Sequence, residues 1–201
     1  MPLSTTAAQE LQDVLQAFGA AYGPTAIPSG QGKALEAWVL MRLAYAVDQE
    51  LAGWTVTLRR GDESPLPAGD AFMLPGGGSR IQASHPAAPG HVRLTSLTHP
   101  DRTLELHGSL RWRGRSGALH ECDVSAVPAR IKHQLRTHGG GYPRGLPVAA
   151  IECKDKGGVG TLDETRQTVA RMFDLSLVTQ PGIGVPPCRI YEDRTGSAWG
   201  A

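Results

Sequence analysis

The stretch VAAIECKDKGG, residues 148–158, runs from four apolar residues into Glu152 and Lys154 and then into a glycine-containing turn. The apolar run predicts a buried strand over residues 147–154. Side chains alternate between the two faces of a strand, so Glu152 and Lys154 should share one face while Cys153 points the other way. A carboxylate and an ammonium group together at the end of a buried strand indicate a polar site at the edge of a sheet.

A second pair of acidic residues precedes this stretch. ALHECDVSAV, residues 118–127, predicts another strand, in which Glu121 and Asp123 share a face and Cys122 points away. If the two predicted strands are neighbours, Asp123 converges with Glu152 and Lys154, and Cys122 and Cys153 face the hydrophobic layer as small core residues.

Adjacent carboxylates repel each other unless a cation lies between them. Mg²⁺ or Mn²⁺, which take oxygen ligands, would fill that role, and the backbone carbonyl of Cys153 can supply a further ligand. Such a centre suits metal-assisted hydrolysis of a phosphodiester.

The rest of the chain predicts one α/β domain, with a mixed central β-sheet flanked by helices and an N-terminal helical segment. Residues 1–30 form the N-terminal helix and loop, residues 33–178 the core, and residues 180–201 a Pro/Gly-rich tail with a last strand at CRIYED. The predicted helices are 5–20, 33–52, 161–178 and a short basic helix within 128–145; the predicted strands are 54–60, 91–97, 103–114, 118–127 and 147–154, with one or two short strands in the turn-rich segment 61–90.

The composition is typical of neither a membrane protein nor a disulfide scaffold. The chain has 201 residues, 40% of them hydrophobic and 19% charged, and a net charge of +1, so any basic surface must be local. No apolar run reaches the roughly 18 residues of a membrane span, and we expect a cytoplasmic protein without a membrane partner. The three cysteines lack a CxxC pair and do not indicate a disulfide scaffold, and no histidine spacing matches a zinc site.

The order of the acidic elements resembles that of the PD-(D/E)xK nucleases, the restriction-endonuclease-like superfamily. Asp123 lies on one strand, Glu152-Cys153-Lys154 forms the ExK element on the next, and GKALEAWV places Glu36 on a helix before both. The resemblance spans about residues 33–178. It implies that Asp123, Glu152, Glu36 and the carbonyl of Cys153 bind Mg²⁺ or Mn²⁺, and that Lys154 positions the attacking water or stabilises the transition state.

The helix LDETRQTVARMF follows the ExK element, where many family members carry a polar residue that faces the site. Gln167 or Arg166 would take that role. The resemblance further implies a DNA substrate, with RNA left open, a role in microbial defence or DNA processing, and a homodimer or a partner protein for targeting. Non-catalytic nucleic-acid binding, a scaffold role on the same fold and a protein-interaction module are the alternatives.

Each candidate also has a simpler interpretation. An ExK element at a strand end can be a solvated ion pair, and Glu36 can be a first-turn glutamate favoured by the helix dipole. Glu121 fits a surface position, and Trp112 fits the core or a hairpin better than base stacking. The basic residues around the acidic ones form either a rim for a phosphate backbone or a set of separate surface side chains; they are Arg102, Arg111, Arg113, Arg115, Arg130, Lys132, Arg136 and Arg144.

Overall fold

The computed structural model describes residues 32–154 and 161–176, the pair Thr25–Ala26, and five positions between 9 and 20. Those five positions are helical, in agreement with the predicted helix 5–20, and the rest of that helix lies outside the described residues. The predicted tail 180–201, with its CRIYED strand, also lies outside them. No helix among the described residues is long and apolar enough to cross a membrane.

Most predicted elements are confirmed to within a few residues. The helices are α1 (Lys33–Glu50), α2 (Ala129–Thr137) and α3 (Leu162–Ser176). The strands are β1 (Thr25–Ala26), β2 (Trp54–Arg59), β3 (Phe72–Met73), β4 (Ile81–Gln82), β5 (His91–Ser96), β6 (Thr103–Arg113), β7 (Leu119–Pro128), β8 (Gly140–Gly141) and β9 (Ala149–Ile151). Segment 61–90 is a long excursion that carries only the two-residue strands β3 and β4, as predicted.

The central sheet is antiparallel throughout, so the prediction of a mixed sheet was wrong. Its strand order is β2-β5-β6-β7-β9, and every neighbouring pair runs in opposite directions. The reason lies in the connection between β7 and β9. The chain leaves β7 at Pro128 and enters β9 at the same end, where Ala149 pairs with Ala126, because α2 and β8 return it there without crossing the sheet.

Helices cover both faces of the sheet. On one face α1 buries Leu40, Met41 and Ala44 against strand residues that include Leu106 and Ala126. On the other face α2 and α3 pack in a second cluster whose members are Ile81, Leu110, Trp112, Cys122, Val127, Ile131, Leu135 and Leu175. The burial of α1 confirms the interpretation of its largely apolar sequence as a core helix.

Strand β6 exchanges its two faces at Ser109. Leu106 packs against α1, whereas Leu110 lies in the opposite cluster, although a regular strand would keep residues four apart on one face. Ser109 has φ 46, a left-handed conformation that is uncommon for a residue with a side chain. The rotation turns the Ser109 side chain toward α1, and this brings it to Glu36.

The last strand is shorter and more exposed than its sequence predicted. β9 ends at Ile151, so Glu152, Cys153 and Lys154 follow the strand as irregular chain. β9 also lies at the edge of the sheet, and Val148 and Ala149 are exposed there, contrary to the expected buried strand. An edge strand packs on fewer neighbours, which explains how an apolar run can remain half in solvent.

Helix α3 is fixed at both ends. At its start the Thr161 hydroxyl accepts from the Glu164 N–H, while the Glu164 carboxylate accepts from the Thr161 N–H at 2.7 Å, as in a capping box. Near its end Asp174 accepts from the Ser116 N–H at 2.9 Å and contacts His120 Nε2 at 2.7 Å. These contacts tie α3 to the turn between β6 and β7.

Candidate functional site

Asp123 joins the ExK segment to the sheet. Gly108 pairs with Val124 and Leu110 with Cys122, so Asp123 falls opposite Ser109 at the point where β6 changes faces. Asp123 Oδ2 accepts a 2.6 Å hydrogen bond from the backbone N–H of Cys153. This bond uses one carboxylate oxygen to hold the irregular chain after β9 and leaves the other oxygen for a ligand.

Three predicted acidic residues lie close enough to Cys153 to influence its thiol electrostatically. Burial raises the pKa of the Cys153 thiol to about 12, and the negative charges of Asp123, Glu36 and Glu152 contribute to that rise. Burial and the charge of Asp123 also raise the pKa of Glu152. Helix α1, strand β7 and the chain after β9 therefore each place a carboxylate near Cys153, but the oxygens of these three carboxylates do not all lie within 4.8 Å of one another in this arrangement.

The two cysteines that the structure describes, Cys122 and Cys153, differ in their surroundings. Cys122 is buried in the cluster under α2 and α3, as predicted, and burial raises its pKa to about 12. Cys153 is half-buried and lies among carboxylates, so the prediction that it faces the hydrophobic layer was wrong. The difference arises because β9 ends before Cys153, where strand alternation no longer fixes the side-chain direction.

Glu36 is held in place by a lysine from its own helix and a serine from the sheet. Lys33 Nζ lies 2.8 Å from both oxygens of Glu36, and Ser109 Oγ donates to Glu36 Oε2 at 2.6 Å. The Lys33 and Glu36 side chains are each 13% exposed. A cation that binds Glu36 must share its carboxylate with Lys33 or displace the lysine.

Glu152 has two cationic neighbours. Lys154 Nζ lies 3.5 Å and Arg171 Nη1 3.3 Å from Glu152 Oε2. The contact between Glu152 and Lys154 agrees with the prediction that the two side chains lie on one side of the chain. Lys154 is 47% exposed, so its ammonium group can reach a substrate from solvent.

Arg171 is the α3 residue that contacts the acidic group, and the sequence analysis did not select it. Arg166 pairs with Asp163 at the surface, and Gln167 is exposed without a hydrogen bond to the site in the described part of the chain. Arg171 lies one helical turn after Gln167, so helical spacing from that residue was the available signal.

The predicted basic block divides into exposed and buried members. Arg115 and Arg130 are exposed, and Arg111 pairs with Glu121 at 3.7 Å, which places Glu121 in a surface ion pair. Lys132 and Arg136 are buried, so their assignment to a basic rim was wrong. Trp112 is also fully buried and donates to Ser125, in agreement with a core role.

A second polar group lies inside the protein, around Glu105. Arg136 binds both Glu105 oxygens, at 3.2 and 2.9 Å, and Arg93 binds one of them at 3.1 Å. His107 Nε2 lies 3.1 Å and His91 Nε2 3.4 Å from the same carboxylate. Burial would raise the pKa of Glu105, but the neighbouring His91, His107 and Lys132 lower it well below its usual range.

His91, Glu105 and His107 place potential metal-ligating atoms within 4.8 Å of one another, a cluster that no sequence spacing indicated. The hydrogen bonds favour a metal-free network. His91 Nδ1 contacts Arg136 Nη2 at 3.2 Å, and His107 Nδ1 contacts Lys132 Nζ at 3.1 Å. An imidazole that binds metal through Nε2 carries its proton on Nδ1, and here that proton would face a cationic donor.

This network predicts a loss of stability in acid. Burial lowers the pKa of His91 from 6.5 to about 4, and burial together with Lys132 lowers the pKa of His107. Both histidines stay neutral in the folded protein while the unfolded chain takes up protons below pH 6.5, so the free energy of unfolding should fall as the pH falls from 6.5 toward 4. Each histidine should contribute up to about 1.4 kcal/mol for each unit of pH.

Urea unfolding at pH 7.5, 6 and 5 measures this slope. His107→Gln should make the slope shallower, whereas His99→Gln, at an exposed position, should leave it unchanged. An identical slope for wild type and His107→Gln would contradict the assignment of a neutral buried imidazole.

The chain was compared with protein-family models, curated proteins and solved structures, and no match was found in any of the three.

Proposed function

We propose that this protein is a metal-dependent nuclease that hydrolyses phosphodiester bonds of DNA. The observation that carries the proposal is that Glu36, Asp123 and Glu152 all lie near enough to Cys153 to raise the pKa of its thiol, with Lys154 beside Glu152 at the surface. The proposal adopts the PD-(D/E)xK pattern of the sequence, in which a carboxylate pair binds metal and the lysine acts on water or phosphate.

The donor set suits a hard divalent cation. Glu36, Asp123, Glu152 and the Cys153 carbonyl offer only oxygen atoms, and these are the ligands that Mg²⁺ and Mn²⁺ prefer. Asp123 keeps one oxygen outside its bond to Cys153 N–H. When bound, the metal would lower the pKa of an attacking water and offset charge on the phosphate.

The remaining groups orient the proposed metal-binding carboxylates and offset part of their negative charge. Ser109 fixes the direction of the Glu36 carboxylate, and the Cys153 N–H fixes that of Asp123. Arg171 contacts Glu152 from α3 and limits the repulsion between Glu152 and Asp123. Lys154 lies 3.5 Å from Glu152 and is 47% exposed, so its ammonium group would contact the phosphate or orient the attacking water from the side of Glu152.

Cleavage assays on supercoiled plasmid, linear duplex, single-stranded DNA and RNA test the proposal in Mg²⁺, in Mn²⁺ and in EDTA. We expect DNA cleavage that requires metal, and Lys154→Ala should reduce its rate about a hundredfold or more, as expected for loss of a group that acts in the transition state. Arg115→Ala, which removes one exposed cation, is the matched control.

Cleavage that persists in EDTA, or that Lys154→Ala leaves unchanged, would contradict the proposed mechanism. If the pure protein cleaves none of these substrates but binds DNA, non-catalytic nucleic-acid binding replaces the nuclease as the better proposal.

A further inference from the structure

A small polar pocket lies where β5 and β6 separate. Its volume is about 30 Å³, room for about two water-sized spheres. Two glycines allow the walls of the pocket to approach each other closely. A Cβ on Gly61 would lie 2.4 Å from Ala88 Cβ. A Cβ on Gly90 would lie 2.7 Å from the Arg59 carbonyl oxygen. The exposed residues Arg80 and Gln82 also line the pocket, so it connects with solvent.

The pocket has a basic lining. Arg80, His107, Lys132 and Arg136 belong to it, and none of the described residues that line it is acidic. Glu105 lies behind His107 and Arg136 and is already bound by two arginines. Glu63 also binds Arg136, so the two carboxylates near the pocket are both paired with arginine, whereas Arg80 and Lys132 have no ion pair among the described residues.

Lys132 is the most unusual member of this lining. Its side chain is almost fully buried, at 1% exposure, and His107 Nδ1 is its one hydrogen-bond partner among the described residues. An ammonium group has three hydrogens to donate, so two lack a protein acceptor. Burial lowers the pKa of Lys132 well below its usual range, and the charge of Arg136 adds to that effect.

We infer that this pocket is a binding site for a phosphate group, distinct from the carboxylate site. The inner oxygens of the group would accept from Lys132, and Arg80 would contact its outer oxygens at the mouth. A buried lysine with a single acceptor for its three hydrogens and a basic lining without an acidic residue are the two features that favour an anion. This inference does not rest on the proposed nuclease function.

The phosphate group can be free inorganic phosphate or part of a nucleic acid. The pocket shares Pro75 and Gly108 with the small cavity beside Lys33, Glu36 and Ser109, so the two cavities adjoin on the side of Glu36. A nucleic-acid end whose terminal phosphate enters the pocket would therefore lie on the Glu36 side of the carboxylate site.

Calorimetric titration of the full chain in EDTA with inorganic phosphate tests the inference. We expect saturable binding to the wild type and affinity about tenfold weaker for Arg80→Ala, the effect of one lost charge-assisted hydrogen bond. Gln82→Glu, which puts a negative charge at the mouth with little change in shape, should weaken binding at least as much. Arg130→Ala removes an exposed arginine outside the pocket and should leave the affinity unchanged.

A second titration distinguishes the sources, with one single-stranded DNA decamer prepared with and without a 5′-phosphate. If the wild type binds the phosphorylated decamer more tightly than the other and Arg80→Ala removes that difference, the ligand is a nucleic-acid phosphate. If the two decamers bind equally while inorganic phosphate binds saturably, the ligand is the free ion. Absence of saturable phosphate binding, or binding unaffected by both Arg80→Ala and Gln82→Glu, would overturn the inference. All the measurements use EDTA, so they do not depend on whether the chain cleaves DNA.

Discussion

Glu105→Gln is expected to lower the free energy of unfolding by about 3–5 kcal/mol, the range for breaking a buried ion pair from one side. The carboxylate is fully buried and accepts hydrogen bonds from Arg136 and Arg93. Glutamine keeps the shape but removes the charge, so Arg136, whose side chain is 5% exposed, would remain buried with Glu63 as its remaining carboxylate partner. Urea unfolding at pH 7.5, followed by circular dichroism, gives the difference between the two proteins.

A double variant and a surface control separate this explanation from a packing effect. Glu105→Leu combined with Arg136→Met removes both charges and should recover much of the loss, because replacing a whole buried pair with apolar residues is often neutral or stabilising. Asp163→Asn breaks an exposed ion pair with Arg166 and should change the stability by less than about 1 kcal/mol. A cost for Glu105→Gln as small as that of Asp163→Asn would mean that Glu105 does not organise the network.

The local elements of this fold could be predicted because their patterns are local. The apolar character of α1 and the alternation in β5, β6 and β7 predicted those elements, and Glu36, Asp123 and Glu152 were selected before any geometry was known. The direction of β9 could not be predicted in the same way. It depends on the path of residues 138–148, and no periodicity in that segment records whether the chain crosses the sheet.

The burial of the network around Glu105 could not be predicted for a different reason. Alternation in β6 makes Glu105 and His107 look like solvent-facing residues, yet both are buried because α2 covers that face with Lys132 and Arg136. Lys132 lies 25 residues from His107 and Arg136 lies 31 residues from Glu105 along the chain, so each of these charged residues looked like an independent surface charge. A local hydrophobic pattern does not predict the burial of charged residues whose partners come from distant parts of the chain.

The side-chain direction of Ser109 could not be predicted either, because the identity of a serine does not indicate a left-handed backbone conformation. Without the rotation at Ser109, strand alternation would direct its side chain away from α1, and Glu36 would lose its contact with the sheet. Arg171 escaped prediction for a related reason: the contacts of Asp174 with the β6–β7 turn, made in three dimensions, set which face of α3 meets Glu152.

Asp123→Asn is expected to reduce metal-dependent DNA cleavage about a thousandfold, equivalent to about 4 kcal/mol of transition-state stabilisation. The asparagine amide oxygen can still accept the Cys153 N–H, so the chain after β9 should keep its position. What disappears is the negative charge that would bind metal together with Glu152 and Glu36. Initial cleavage rates in Mg²⁺ and Mn²⁺, beside Mn²⁺ titrations of both proteins, measure the loss.

Glu121→Gln is the matched control, because Glu121 lies two residues earlier on the same face of β7 and pairs with Arg111 at the surface. It should retain nearly full activity and Mn²⁺ affinity. Asp123→Asn should also unfold at the same temperature as the wild type or at a higher one, since the charge of Asp123 opposes the ionisation of Glu152. A carboxylate retained at a cost in stability is expected of a functional site. Equal losses of activity in the two variants, or full activity in Asp123→Asn, would show that the carboxylates around Cys153 do not form a catalytic metal site.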